Sequence, residues 1–523
     1  MQPYALTLDK FLDHSAKWHP AAEVVGASAN GDIARTPYAL LRARARRVSA
    51  VLAARDVRTG DRVATLAWNS GAHIEAWYGI IGMGAVCHTL NPRLTAPELA
   101  AMLRQSQARL LIVSADLMAF AQDVVRGAPR IERVLVIDGE ASATSFETAM
   151  LEEMEPAIAG AGDDAIWGGF DETSPSALCF TSGTTGAPKG VTYTHRSSYL
   201  HTLKLLQADV FAITSKDAVL SAVPMFHGNA WGLPFAAPAV GAKLVLPGRR
   251  TDGESLARLI NSEGVTMAVG VPTLWLGLVE HLESNGGEVP SLKRILVGGA
   301  PLHPALMDRI EKRLGVTIQT SWGMTELSPS GTVAPPGDGR RKASLSGRPP
   351  LGVDLLLTDP QGRPLPEQRN VEGHLRVRGA AVIERYFGHE EPATDADGWF
   401  PTGDLARIDG EGNLMITGRA KDLIKSGGEW INPAEIEAIV GILPQVSLAA
   451  VIGRPDLKWG ERPVLLVEIR KGHEISDEDL LAALRGRVAS WSVPDRILRL
   501  AAMPMAATGK IDKAKLRADH GRE

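Results

Sequence analysis

The sequence predicts an α/β protein: a large N-terminal part of mainly parallel sheets flanked by helices, a β-rich subdomain, and a small mobile α+β C-terminal domain. Three observations carry this. Short β-branched runs alternate with helical patterns over the first 330 or so residues. A loop rich in Gly, Pro and charge, 331–352, then gives way to shorter strand patterns. A compact stretch with its own legible helix start closes the chain.

In order, RVATLAW (62–68) is a strand, and the amphipathic stretch from Ile74 to Gly84 is a helix. RLLIVSAD (109–116), RVLVIDG (133–139), VTMAVGV (265–271), KRILVGG (293–299) and VTIQTSW (316–322) are further strands, and Pro304 to Leu314 is a helix. Strands joined through helices pair in parallel by right-handed crossovers. HLRVRG and NLMITG mark the β-rich subdomain, expected over about 345–418 within an N-terminal domain that spans 1–418. The last unit is expected over 419–523. Asn432 as N-cap, Pro433 at N1 and Glu435 at N3 make a capping-box arrangement, and a helix is expected from Asp477 to Ala489.

The chain has 523 residues, more than one core sustains, since single cores stop growing near roughly 250–300 residues. Its 56 basic and 60 acidic residues nearly cancel, which removes the global electrostatic case for nucleic acid or anionic lipid. Cys87 and Cys179 each sit in an apolar run and read as buried hydrophobes in a reducing compartment. The N-terminus shows no apolar core of a signal peptide. The most apolar stretch, Val219 to Leu246, is interrupted by Pro224, His227, Asn229, Pro234, Pro238 and Lys243, a poor membrane span. A cytoplasmic protein is expected.

The sharpest chemical signal is Thr181-Ser182-Gly183-Thr184-Thr185-Gly186-Ala-Pro-Lys189-Gly. It leaves a strand (ALCF), supplies hydroxyl donors and close backbone approach, and ends on a cation. Those are the needs of a loop that holds a polyphosphate, though the pattern is not that of a P-loop. Five further strings follow or flank it: Pro224-Met-Phe-His227-Gly-Asn-Ala-Trp231, Ser321-Trp322-Gly-Met-Thr325-Glu326, Trp399-Phe-Pro-Thr-Gly-Asp404, Gly418-Arg419-Ala-Lys421-Asp, and Met503-Pro-Met-Ala-Ala-Thr508-Gly-Lys510.

Together these resemble, in order and over nearly the whole chain, the signatures of the adenylate-forming superfamily: acyl-CoA synthetases, peptide-synthetase adenylation domains and firefly-type luciferases. The match is most similar to the fatty-acyl-CoA ligases, through HTLNPRL (88–94), GVPTLW (270–275) and KDLIKSGGEW (421–430) as well. The resemblance implies ATP, Mg²⁺ and CoA as partners of a small carboxylic acid. It assigns Thr181, Ser182, Gly183, Thr184, Thr185, Gly186 and Lys189 to the phosphates, with Trp322 standing where the family usually has Tyr beside adenine. Thr325 would meet the α-phosphate, Glu326 and Thr181 would hold Mg²⁺, and Asp404 and Arg419 would take the ribose hydroxyls. Lys510 would be the adenylation lysine and Lys421 the hinge.

His227, Trp231, Gly298, Gly299 and Ala300 would border the acyl channel, and Gly427 and Gly428 the pantetheine path. A histidine flanked by apolar residues lines a pocket more readily than it acts as a base, and a carboxylate substrate needs no deprotonation at neutral pH. For both glycine pairs a plain turn at positive φ is the alternative. The implied activity is an AMP-forming acid–CoA ligase acting on medium- or long-chain fatty acids. Short thioether or arylalkanoic acids, transfer to a separate carrier protein, luciferase chemistry, and a non-catalytic nucleotide-binding scaffold are the alternatives. A homodimer is a family-based expectation.

Overall fold

Four sheets organise the chain. The structure, a computed structural model, describes residues 2–28, 32–141, 145–181, 188–337, 342–506 and 510–521. A seven-stranded sheet runs in the order Met150–Glu153, Arg133–Ile137, Leu110–Ser114, Arg62–Leu66, Val86–Thr89, Pro175–Thr181, Lys189–Thr194. All its pairs are parallel except the last, a hairpin in which Thr181 faces Lys189. An eight-stranded sheet has a parallel centre made of Thr317–Gly323, Arg294–Val297, Met267–Gly270, Ala218–Ser221, Lys243–Leu246 and Glu23–Ala27. Its two edges, Ser330–Val333 and Ile33–Pro37, are antiparallel. Every strand named from the sequence is present, with ends moved by at most two residues, and Pro304–Leu314 is helical as expected.

One apolar core joins the two large sheets. It contains Val63, Ile112 and Leu135 from one sheet and Val24, Val219 and Leu244 from the other, with Tyr38, Trp77, Ile81 and Phe235 between them. The helices Tyr38–Ala53 and Gly71–Gly82 approach closely here: a Cβ on Gly79 would stand 2.6 Å from Val48, and the Ser49 hydroxyl donates to the Gly79 carbonyl at 2.6 Å. Parallel sheets covered on both faces by helices read as near-continuous apolar runs, which is why their strands were visible from sequence.

The third sheet is four-stranded and antiparallel, formed by Val353–Thr358, Glu372–Gly379, Phe400–Ile408 and Leu414–Arg419. The last is C-terminal, mostly antiparallel, with Val446–Asp456 and Gly460–Ile469 at its centre and its own apolar core. Two expectations need correction. The helix expected over 477–489 stops at Leu484, because Arg485 turns to extended backbone (ψ 131°) and Gly486 takes φ +72°. At the helix Pro433–Gly441, the Asn432 side chain accepts from the Ala434 N–H, but no reciprocal bond from Glu435 completes the box. No helix among the described residues is long and apolar enough to cross a membrane.

The carboxyl ends of the parallel strands from both large sheets meet along one crevice, where ligands bind in open α/β sheets. Asn69, just beyond Arg62–Leu66, fastens them. Its amide donates to the carbonyls of Ser221 (3.1 Å) and Val223 (2.7 Å), and its oxygen accepts from the Met225 N–H at 2.7 Å. The residue is 4% exposed. Asn69→Ala should therefore take this partner from the Met225 N–H and the Ser221 carbonyl, leave the Val223 carbonyl only the Ser221 hydroxyl at 3.4 Å, and lower the urea-unfolding free energy by about 2–3 kcal/mol. An unchanged midpoint would mean that the two sheets do not rely on this bracket.

Candidate active site

The crevice is built from loops that leave parallel strands. Thr181 ends one strand and Lys189 starts its hairpin partner; the Thr181 hydroxyl donates to the Lys189 carbonyl at 3.4 Å. Ser182, Gly183, Thr184, Thr185 and Gly186 lie outside the described residues. The Lys189 ammonium stands 4.7 Å from the ring centre of Tyr386, a cation–π contact.

Tyr386 does a second thing. Its hydroxyl donates to Glu326 Oε1 at 2.9 Å, fixing a carboxylate that is only 7% exposed. The other Glu326 oxygen has no partner among the described residues. The Glu326 backbone carbonyl accepts from the Ile383 N–H, and the Thr325 carbonyl accepts from the Tyr193 hydroxyl at 2.7 Å. Thr325 and Glu326 are thus held through their backbones by two distant segments. Nothing in the sequence singled out Tyr386 or Tyr193; the bonds span 60 and 132 residues.

Trp322 sits beside Thr325–Glu326 on the strand Thr317–Gly323. Its ring is buried, in contact with the position a Gly331 side chain would fill. Its indole N–H donates to Asp404 Oδ2 at 2.9 Å. Asp404 Oδ1 pairs with Arg419 Nε at 2.7 Å. A Trp in place of Tyr therefore also orients the buried carboxylate of Asp404. Burial raises the Asp404 pKa; Arg419, the Trp322 N–H, Lys510 and Lys421 pull it back.

Lys510 arrives from the far end of the chain. It is open to solvent on one side, yet desolvation and the nearby Arg419 lower its pKa while Asp404 opposes them. Asp404, Arg419 and Lys510 therefore share one electrostatic environment. Lys421 lies in the short turn Ala420–Asp422 that connects the four-stranded sheet to the C-terminal one. Its neighbour Asp422 is engaged by Arg517 at 3.1 Å.

On the other side of the crevice, Gly228–Gly232 forms an unusual turn. Gly228, Asn229, Ala230, Trp231 and Gly232 all take positive φ, between +48° and +78°. A Cβ on Gly298 would lie 2.9 Å from the Trp231 ring, and one on Gly299, at φ +78°, 3.6 Å away. The glycine pair thus makes room for the indole, with Ala300 next in the same bend. His227 precedes the turn. Its Nε2 is buried without a partner among the described residues, and burial, helped by Arg93 and Lys510, pushes its pKa down to about 4. It is neutral at physiological pH. Gly427 and Gly428 form the turn between Ile424–Ser426 and Glu429–Ile431, at φ +60° and +93°. A Cβ on Gly427 would strike the Trp459 ring, so turn geometry and packing account for the first glycine of this pair. Cys87 and Cys179 are buried free thiols. The Cys179 thiol reaches the Asn229 side-chain oxygen at 3.5 Å, beneath the left-handed turn.

Residues 12–387 match the AMP-binding enzyme family, and residues 435–510 match the AMP-binding enzyme C-terminal domain. A 3-methylmercaptopropionyl-CoA ligase from Ruegeria lacuscaerulensis is 39% identical over 99% of this chain and 98% of its own. A medium-chain-fatty-acid–CoA ligase from Ectopseudomonas oleovorans is 38% identical over 99% of this chain and 96% of its own. Among solved structures, ATP-bound MatB from Rhodopseudomonas palustris superposes with a TM-score of 0.87 at 27% identity, covering 99% of both chains. Its nucleotide-free form gives 0.77. The motif resemblance and these matches agree: the chain belongs to the AMP-binding enzyme family, within the adenylate-forming superfamily.

Proposed function

We propose that this protein is an AMP-forming acid–CoA ligase, acting on medium- or long-chain fatty acids in two half-reactions. The observation that carries this reading is that Lys510, from the C-terminal part, stands within electrostatic reach of the Asp404–Arg419 pair, which is itself joined to Trp322. An ammonium at that point can bridge the acid's carboxylate and the ATP α-phosphate as charge builds between them. The higher superposition with an ATP-bound relative than with its nucleotide-free form supports an arrangement poised for adenylation.

In the first half-reaction a carboxylate oxygen attacks the α-phosphorus, and the bond to the pyrophosphate oxygen breaks. Lys189 and the loop from Thr181 take the phosphates, Thr325 the α-phosphate, and Asp404 with Arg419 the ribose hydroxyls. Tyr386 orients Glu326 and stacks under Lys189, so one ring positions both charges. Glu326 and the Thr181 hydroxyl are hard oxygen donors and would hold Mg²⁺. When bound, the ion supplies charge neutralisation on the phosphates. In the second half-reaction the CoA thiol gives up its proton, its sulfur attacks the acyl carbonyl, and AMP leaves. Rotation about Lys421 withdraws Lys510 and brings the Gly427–Gly428 turn to the pantetheine path. His227, neutral and with no partner for its Nε2 among the described residues, lines the acyl channel with Trp231 rather than serving as a base.

A second reading, a short thioether acid as substrate, is favoured by the 39% identity to the Ruegeria ligase and by the Trp231 ring that occupies the space over Gly298. AMP release from ATP across acids from acetate to palmitate, with thioether and aryl acids included, each with and without CoA, separates the two. CoA-dependent AMP formation with the fatty acids supports the first reading, and a preference for thioether acids the second. Pyrophosphate release that ignores CoA would move the acyl acceptor elsewhere.

Three variants test the roles. Lys510→Ala should lose about 10²–10³-fold in adenylation yet still convert supplied acyl-AMP and CoA to thioester; equal loss in both steps would refute the division of labour. Lys421→Pro should spare adenylation and block thioester formation, because proline fixes φ at the hinge; intact overall turnover would remove Lys421 from that role. Tyr386→Phe should raise the Mg²⁺ concentration for half-maximal adenylation about tenfold, as loss of an orienting partner does; an unshifted Mg²⁺ dependence would show that Glu326 needs no orientation.

A further inference from the structure

The helix His195–Leu205 carries three ionisable side chains inside the protein, His195, His201 and Lys204, all outside the motifs discussed above, and the last two act together. His201 is 2% exposed and Lys204 5%. They grip the same residue from both sides. The Ser330 N–H donates to His201 Nε2 at 3.2 Å, and the Lys204 ammonium donates to the Ser330 carbonyl at 2.6 Å. Ser330 is the sole partner of the Lys204 side chain among the described residues, and no carboxylate pairs with it. An amine with up to three donors and one acceptor, buried without a counter-charge, is costly. A methionine of similar length would fill the space without burying a charge, and the loss of the donor to the Ser330 carbonyl would cost less than that charge does.

What Ser330 touches gives the pair its consequence. Ser330–Val333 is the edge strand that backs Ser321–Gly323, and Gly331 lies against the Trp322 ring. Pro329, one residue earlier, lies 2.9 Å from where a Gly228 side chain would begin. At the other end of that turn, a Cβ on Gly232 would meet the His201 ring at 2.9 Å. The pair on one helix therefore reaches the wall beside Trp322 through Ser330, and the left-handed turn that carries Trp231 directly at Gly232 and, through Pro329 next to Ser330, at Gly228.

We propose that Lys204, together with His201, is a positioning residue that sets the Ser330 peptide and thereby the spacing between the adenine-side strand and the acyl-side turn. This rests on the reading of those two sides given above. Neither side chain reaches the reacting atoms; the pair acts through Trp322 and Trp231. Misplacement by an ångström at such a joint lowers turnover by up to about 100-fold.

The test is Lys204→Met, with Lys204→Gln as the conservative variant that keeps an N–H donor for Ser330. If the lysine only supported the fold, stability and activity would fall together. The proposal predicts that they part. Lys204→Met should lose about 10- to 100-fold in kcat/KM for the acid and for ATP, while its urea midpoint at pH 6 stays at or above that of the wild type. Lys204→Gln should recover most of the loss.

The pH dependence has a defined sign. Burial lowers the Lys204 pKa from 10.5 to about 7. Between those values the unfolded chain binds more protons, so the lysine's cost is complete below pH 7 and fades as pH rises toward 10.5. The stability advantage of Lys204→Met should shrink over that window. ATP binding measured by equilibrium dialysis reads the adenine side without turnover, and Lys204→Met should weaken it about tenfold. A wild type that binds ATP but forms AMP with no acid would sink the ligase reading and leave this binding arm to decide the present one. Wild-type ATP affinity in Lys204→Met, or a parallel loss of stability and activity, would overturn the positioning role.

Discussion

A single buried carboxylate ties the parts of this molecule together. Asp404 lies on the four-stranded sheet, 2% exposed, and its two oxygens are taken by groups from different origins. Trp322 comes from the eight-stranded sheet, and Arg419 from the last residue before the turn into the C-terminal unit. Burying a carboxylate without such partners would cost several kcal/mol or force it to take a proton. The requirement to satisfy Asp404 therefore dictates how the second large sheet, the third sheet and the C-terminal junction sit together. The same requirement gives the crevice its charge pattern, because Arg419 and Lys510 face one anion that they share.

Strain is concentrated opposite that carboxylate. Five successive residues, Gly228 to Gly232, hold left-handed backbone, and three of them carry side chains. Each of those three costs about 1–2 kcal/mol, whereas the two glycines do not. The turn persists because its surroundings leave no alternative. Pro329 packs on Gly228, Asn229 meets the Cys179 thiol, the Ala230 N–H donates to the His227 carbonyl, and the His201 ring fills the space beside Gly232. Backbone held in this way presents the Trp231 ring over the Gly298–Gly299 bend, which must lack side chains to receive it.

The two sides of the crevice are thus supported differently. The side proposed for the nucleotide rests on side-chain hydrogen bonds to backbone and carboxylate from Tyr193, Tyr386 and Trp322. The side proposed for the acyl group rests on close approach of glycines to rings. Hydrogen bonds fix orientation, as phosphate and ribose recognition demands, whereas ring-on-glycine packing sets shape and volume. Substitution on the first side should alter rate, and on the second the range of acids accepted.

Much of this was legible in the sequence. Strands covered on both faces are apolar throughout, so the runs at 62–66, 110–114, 133–137 and 294–297 announced themselves, and Gly and Pro marked the loops between them. The motif strings carried the residues of the crevice because each is local: a chemistry-bearing side chain within a few residues of the glycines and hydroxyls that let a ligand approach. What could not be read were pairings between distant segments. Tyr386 meets Glu326, Tyr193 meets Thr325, and Lys204 meets Ser330 across 60, 132 and 126 residues. Each partner is an ordinary residue in its own segment. The C-terminal helix ended early because Gly486 breaks a pattern whose periodicity suggested more. Sequence alone determined the layered architecture and which residues carry charge and hydroxyls, since periodicity and local motifs encode both. Only the tertiary structure decided which of those charges are buried, paired or left alone, because that depends on what the fold brings within three ångströms.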